Sequence, residues 1–268
     1  MKKLLFALAA GAASLCGFAA THTITDFVNH ASAKDALRVK TGDTITLPTL
    51  EEGSYRAINT RILQIEGNVA TVLMPGIVGI QKLDGSGALV AVAAVLSVPD
   101  PIADGCVYLF LEGKNNGSWA DSSWELLEGV SSDSYPHSSN DIAIIANYNG
   151  YGMEMTLSVN ITLGGLMVGA YRFDKGMENY KYWIRGAEGS ATNTLTFART
   201  DGESPWIQLC PGANLVDQNL NIVGFGYNDQ NKSFPIEVKC IGNVVCDLGW
   251  DGTDSAACHT RMIFGKDS

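Results

Sequence analysis

The sequence predicts an all-β chain, a small sandwich followed by a stack of β-coils. Three observations carry this. Only 17% of the 268 residues are charged while glycine reaches 29, and after residue 40 no helix-favouring run of Ala, Glu, Lys and Leu appears. Between Leu37 and Pro99, short alternating or compactly apolar segments are punctuated about every ten residues by turn chemistry. From Gly117, two tryptophans five apart (Trp119 and Trp124) precede a polar loop with Pro136, the pair Asn140-Asp141 and the apolar burst Ile142 to Ile145. Strand-like segments separated by Gly-, Asn- and Asp-rich corners follow.

The first twenty residues read as an export signal and stand outside the fold. Lys2 and Lys3 form a basic start, and Leu4 to Leu15 are apolar or small. Gly17 and Ala19 then fit the −3 and −1 positions of a cleavage site, so the mature chain is expected to begin at Ala20 or Thr21. The apolar run falls short of the roughly 20 residues that span a bilayer. A lipoprotein reading would hang on Cys16, but Leu15 sits where a small residue is expected. The next segment, Thr21 to Ala36, reads as a loose arm or one helical turn.

Without Lys2 and Lys3 the chain has 16 basic against 28 acidic residues. A surface of that sign disfavours nucleic acid and anionic lipid as partners. Five cysteines follow residue 20: Cys106, Cys210, Cys240, Cys246 and Cys258. An odd number in so long a chain is a poor disulfide framework. Cys240 and Cys246 share parity with Ile236, Val238, Val244 and Leu248, which predicts that both face a core as small hydrophobes. A bridge involving Cys258 is the alternative. Zinc lacks the paired cysteine spacing it needs.

Residues 37–99 give several short strands, with turns at Gly42-Asp43, Gly53, Pro75-Gly76 and Asp84-Gly85. The succession Gly42-Asp43-Thr44-Ile45-Thr46-Leu47, Asn59-Thr60 before ILQIEGNVATVL, Pro75-Gly76-Ile77-Val78-Gly79-Ile80 and the closing Val90 to Val98 resembles a bacterial immunoglobulin-like domain of the invasin/intimin-associated type. The resemblance implies an immunoglobulin-like sandwich. Pro99 to Gly105 (PDPIADG) then reads as a linker crossed by few contacts, and Cys106 to Glu112 as a single apolar strand.

Residues 117–268 read as coils. Comparable segments from Thr162 to Leu195 to Ile222 to Cys246 recur at roughly 24–33 residues, the length of one solenoid turn. A second antiparallel sandwich, with TLSVNITL folded as a hairpin, is the competing reading. The W-x-D-x-x-W opening and the strand Gly165-Leu166-Met167-Val168-Gly169 are similar to the start of autotransporter-like passenger regions. That resemblance implies a right-handed parallel β-helix. Glu125-Leu126-Leu127 departs from the small polar residues usual after the second Trp. The sequence also stops after RMIFGKDS, a strand that should be followed by more chain, so truncation is expected as one explanation.

No reactive constellation emerges. Asp133, His137, Ser138 and Asp141 fall within nine residues, but a triad needs rigid mutual orientation, and the stretch reads as a solvated loop. Asp247, Asp251 and Asp254 with Gly252 lack the EF-hand spacing and its bidentate Glu, and read as a capping loop. Glu112, Glu125, Glu154 and Asp174 are isolated acids that sequence alone cannot pair across a sugar. The histidines (His22, His30, His137, His259) are scattered. No catalytic, cofactor or metal residue is therefore assigned. Trp119 and Trp124 are expected either to cap the first coil or, with Trp183 and Trp206, to form a glycan platform.

The expectation is an exported, non-enzymatic structural or adhesin-like surface protein, a stalk or passenger module without a membrane span. Its partners would be cell-surface or extracellular glycans or proteins. The alternative is a carbohydrate-binding or polysaccharide-processing β-helix.

Overall fold

The computed structural model describes residues 19–27, 35–110, 116–120, 123–147, 153–170, 179–189, 191–210, 217–222, 234–248 and 260–264, and the regular elements among them are strands. The chain is all-β.

The N-terminal strands are β1 (Thr21–Thr23), β2 (Leu37–Val39), β3 (Thr44–Thr46), β4 (Ser54–Ala57), β5 (Leu63–Glu66), β6 (Val69–Val72), β7 (Gly76–Leu83) and β8 (Leu89–Ser97). They form two four-stranded sheets, ordered β1-β3-β6-β5 and β2-β8-β7-β4. Alternation explains the first sheet: Ile45, Ala70 and Val72 point inward while the threonines between them stay half-exposed. Gly67 and Asn68 join β5 to β6 as a two-residue loop, with Gly67 at φ +61°, the left-handed geometry that primed hairpin turns need.

Residues 21–23, the start of the segment read as a loose arm or one helical turn, are a strand, and residues 28–34 of that segment lie outside the described residues. β1 pairs parallel with β3, Thr21 opposite Thr44 and Thr23 opposite Thr46, because Ile24 and Phe27 bury in the core and draw the segment down. Asp43 fastens it. Its carboxylate accepts hydrogen bonds from the backbone N–H of Ala20 (2.7 Å) and of Lys40 (2.8 Å), and from His22 Nε2 (2.9 Å).

Burial by itself would raise the Asp43 carboxyl, but these backbone and His22 bonds outweigh it and hold the group below the usual 3.8. A depressed carboxylate contributes stability that is present above the unfolded value and lost as pH falls through the folded one. Stability measured by denaturant from pH 7 down to pH 2 should therefore drop more for the wild type than for Asp43→Asn. Parallel curves would show that Asp43 contributes nothing to the acid limb.

The rest of the chain rotates through three further sheets. The strands are β9 (Val107–Phe110), β10 (Asn116–Ser118), β11 (Trp124–Glu128), β12 (Ile142–Asn147), β13 (Met153–Leu157), β14 (Ile161–Leu163), β15 (Gly165–Ala170), β16 (Asn179–Gly186), β17 (Asn193–Phe197), β18 (Trp206–Cys210), β19 (Asp217–Ile222), β20 (Ile236–Cys240), β21 (Val245–Asp247) and β22 (Thr260–Phe264). One sheet runs β9-β12-β15-β18-β21, a second β10-β13-β16-β19-β22 and a third β14-β17-β20, every neighbouring pair parallel. The three circuits that run from β12 to β20 each lay one strand on each sheet, while β9 and β10 before them and β21 and β22 after them lie on the first two sheets alone among the described residues. β11 is the exception, returning antiparallel along the free side of β9 through a bulge between Leu126 and Glu128.

The competing sequence reading falls here, and the expected coil spacing changes. TLSVNITL is not a hairpin, because β13 and β14 belong to different sheets and each pairs with the next circuit. The true equivalents are Ile142, Gly165, Trp206 and Val245, spaced by 23, 41 and 39 residues. Thr162, Ile222 and Cys246 sit on three different sheets. Only the strands must stack, so corners absorb insertions freely and hide the period.

The sheet built on β9 feeds two cores from its two faces. Inward side chains (Tyr108, Phe110, Ala143, Ile145, Leu166, Val168, Ile207, Leu209) fill the inside of the circuits. Outward ones (Val107, Leu109, Ile142, Ile144, Ala146, Met167, Cys210) share the core of the N-terminal sandwich. β7 and the end of β8 are consequently covered on both faces, which is why GIVGI and AAVL are continuously apolar. Ile102 lies in that same core, and a Cβ on Gly105 would stand 2.1 Å from the Asn140 carbonyl. Residues 99–105 are therefore packed and not the sparsely contacted linker that their composition suggested.

Candidate functional site

Trp119 and Trp124 meet where β10 ends and β11 begins. Trp119 is 0% exposed and Trp124 7%, their ring centroids 5.1 Å apart, with Phe110 edge-on to Trp124 at 5.2 Å. Both indole N–H groups are satisfied: Nε1 of Trp119 donates to the Pro136 carbonyl and Nε1 of Trp124 to the Trp119 carbonyl, each at 2.8 Å. The Trp119 backbone N–H continues the ladder to Thr156 O at 2.9 Å. Neither ring offers solvent the broad face that a sugar would stack on. Trp183 is likewise 8% exposed. Trp206 alone of the four is half-buried, and its ring lies against Gly165, where a Cβ would come within 2.5 Å of it.

Asp141 is the residue that sequence reasoning misjudged most. It was assigned to a solvated loop, yet it is buried. One carboxylate oxygen accepts from the Cys106 N–H and the other from the His137 and Ser138 N–H groups, all at 3.0 Å. Its carbonyl accepts from Gly164 N at 2.9 Å and Gly165 N at 3.3 Å. Asn140 beside it donates to Asp104 (2.8 Å) and accepts from the Thr200 hydroxyl (2.7 Å). One dipeptide therefore ties three successive circuits together. A signal was present in the sequence: Asp141 stands directly before the apolar burst Ile142 to Ile145, as Asp43 stands directly before β3. A carboxylate drawn inside with such a strand must collect backbone donors.

The remaining members of the supposed triad stay apart. His137 is an exposed neighbour of Asp133, 3.9 Å away, and Ser138 enters through its backbone. Glu125 takes a bidentate grip from Arg38 at 2.6–2.7 Å, and Glu154 a bond from Arg185 at 2.6 Å. Asp247 is held by both Nη atoms of Arg61 at 2.8 Å. Asp251, Gly252, Asp254, Glu112, Asp174, His30, His259 and Cys258 lie outside the described residues. Among the described residues no three His, Cys, Asp or Glu side chains converge as a metal site.

The cysteines divide in two. Cys210 is fully enclosed between the sandwich and the circuits and accepts the Ile77 N–H at 3.4 Å. Burial pushes its thiol up to about 12. Cys106 is buried as well. Cys240 and Cys246, expected to face a core, are exposed. Their parity was read correctly, since they stack on the inward residues Phe197 and Ile207. Burial of an inward residue also needs a strand above it, and β20 and β21 are the last described strands of their sheets.

A cleft of about 410 Å³ opens where the sandwich meets the outer face of the circuits. Trp206, Arg199, Asp201, Asp100, Gln208 and Asp247 line it, among others. Arg199 grips Asp201 through two nitrogens and holds its carboxyl below the usual range, so that acceptor stays ionised. Gln208 donates to the Pro75 carbonyl across the junction at 3.0 Å. Sequence reading missed the cleft because its residues come from positions more than a hundred apart. No family model, curated protein or solved structure matches the chain.

Proposed function

We propose that this chain is an exported, non-enzymatic surface protein whose work is structural or adhesive, an immunoglobulin-like module fused to the opening circuits of a right-handed parallel β-helix. Labelled in chain order as A, A′, B, C, D, E, F and G, β1 to β8 fall into the orders A-B-E-D and A′-G-F-C, the immunoglobulin arrangement. The parallel pairing of β1 with β3 departs from the antiparallel rule of that fold. Regular rotation of β12 to β20 through three sheets with parallel neighbours supports the β-helix. Trp119 and Trp124, with β11 laid along β9, act in this reading as the cap of the first circuit.

The observation that carries the proposal is the shared core: the sandwich lies flat on the outside of the circuits and both bury their best apolar residues there. A rod braced in this way resists bending and presents surface. The chemistry-bearing side chains are spent on structural bonds, as Asp141, Asp247, Glu125 and Glu154 show.

Fractionation of cells expressing the full chain tests the reading. Recovery at the cell surface or in the medium, shortened at its N-terminus, is expected. Confinement to the cytosol with Met1 retained would overturn it.

One observation favours the runner-up, carbohydrate binding. The junction cleft combines the half-exposed ring of Trp206 with fixed carboxylate and guanidinium groups, the mixture that orients a pyranose by stacking and hydroxyl bonds. Saturable binding of a neutral oligosaccharide that Trp206→Ala abolishes would promote this reading over the stalk.

A further inference from the structure

Asp43 is a buried carboxylate short of charge. Its side chain is 9% exposed, and of its three donors two are neutral backbone amides. The ammonium of Lys40, close in sequence, turns away to the Pro99 carbonyl, Asp100 and Glu128. His22 supplies the remaining bond. The shortest of the three comes from the nitrogen of Ala20, at 2.7 Å. Ala20 is also held by its carbonyl, which accepts from Thr44 N at 2.9 Å. The residue is thus pinned on both sides just before β1 starts, while its own surface is exposed.

We propose that cleavage between Ala19 and Ala20 creates an α-ammonium group that forms an ion pair with Asp43 and locks β1 into the sandwich. The inference rests on the export reading and names what export does to the fold. Hydrolysis by a signal-type peptidase adds one water across the amide. The C–N bond breaks, Ala19 leaves as a carboxylate, and the Ala20 nitrogen takes up a proton. A neutral amide donor becomes a charged one with no movement of the backbone, so a bond already assisted by the carboxylate's charge gains the Coulomb attraction of a full ion pair at 2.7 Å. Before cleavage the edge strand is held less firmly, which suits a chain that must cross a membrane unfolded. After cleavage the same atom becomes a latch.

Two purified forms decide this, one beginning at Ala20 and one retaining Ala19. The Ala20 form should melt about 3–6 °C higher, the shift expected when the second charge completes a partly buried ion pair in a chain of this size. Asp43→Asn in both should close the gap. The groups facing the amine are Asp43 and His22, with Lys40 pointing elsewhere, so the folded amine should titrate above its ordinary value of about 7.7–8.0. Its contribution is then complete below that value and is lost as pH rises through the folded one. Direct titration of the Ala20 amine by NMR gives a second reading if Asp43→Asn does not fold.

Equal melting of the two forms, a gap that survives Asp43→Asn, or an amine titrating at or below its ordinary value each overturns the latch. N-terminal sequencing of exported protein separates the two claims. A start at Ala20 supports both, a start at another residue sinks the latch and leaves export standing, and an intact Met1 sinks both.

Discussion

Replacing Trp119 by alanine is expected to cost about 3–5 kcal/mol of stability, measured by denaturant unfolding. The ring is fully enclosed among Phe110, Trp124 and the inner face of the circuits, so its removal opens a cavity that neighbouring strands cannot collapse into. The loss has a second part. The Pro136 carbonyl loses its indole donor in a buried place, and an orphaned buried acceptor costs about 1–3 kcal/mol more where no water reaches it. Trp119→Phe bounds the second part, since it keeps a six-membered aromatic ring and loses the N–H together with the pyrrole part of the indole.

Beyond stability, the cap reading predicts self-association. Removing the ring loosens β11, and the side of β9 that it covers then offers unpaired backbone groups to other chains. Light scattering should show the alanine variant associating at concentrations where the wild type stays dispersed. A variant that unfolds within about 1 kcal/mol of the wild type and stays dispersed would remove Trp119 from the cap.

Asp141→Asn should be the second large effect, at about 2–4 kcal/mol, although it changes one atom. Asparagine can keep one acceptor oxygen, but its amide nitrogen must then face either the Cys106 N–H or those of His137 and Ser138. Donor against donor inside the protein is repulsive and leaves buried N–H groups without partners. Asp141→Ala should be similar or worse. The signature that tells a carboxylate brace from general destabilisation is local: hydrogen exchange at Cys106, His137 and Ser138 should accelerate ahead of global unfolding. Uniform acceleration across all sheets would argue that Asp141 serves packing alone.

Much of the fold was legible because period-two alternation and turn chemistry are local properties. Asp84-Gly85, read as a turn between two apolar segments, joins β7 to β8 as an antiparallel pair, whereas the Gly67-Asn68 turn between β5 and β6 went unread. The segments around Thr162, Leu195, Ile222 and Cys246, read as strand-like, lie in β14, β17, β19 and β21. What failed was everything that depends on which strand lies above which. Cys240 and Cys246 have core parity yet remain exposed, because inwardness is a local property and burial is not. Residues 99–105 have linker composition, yet Ile102 is clamped in a core assembled from strands on both sides of it. Thr162, Leu195, Ile222 and Cys246 looked equivalent because every strand in a coil carries the same alternation, whichever sheet it joins.

The sequence by itself determined that this chain is all β, where several of its turns fall and that Cys240 and Cys246 carry the inward parity of their strands. It could do so because those features follow from backbone sterics and the two-residue repeat of a strand. Only the tertiary structure decided that the sandwich lies against the outer face of the circuits, that Asp43 and Asp141 are brought inside, and that Trp206 borders a cleft. Each of these depends on contacts between residues far apart in the chain. No local pattern encodes such a contact, because its energy exists only once both surfaces are formed and the water between them has been expelled.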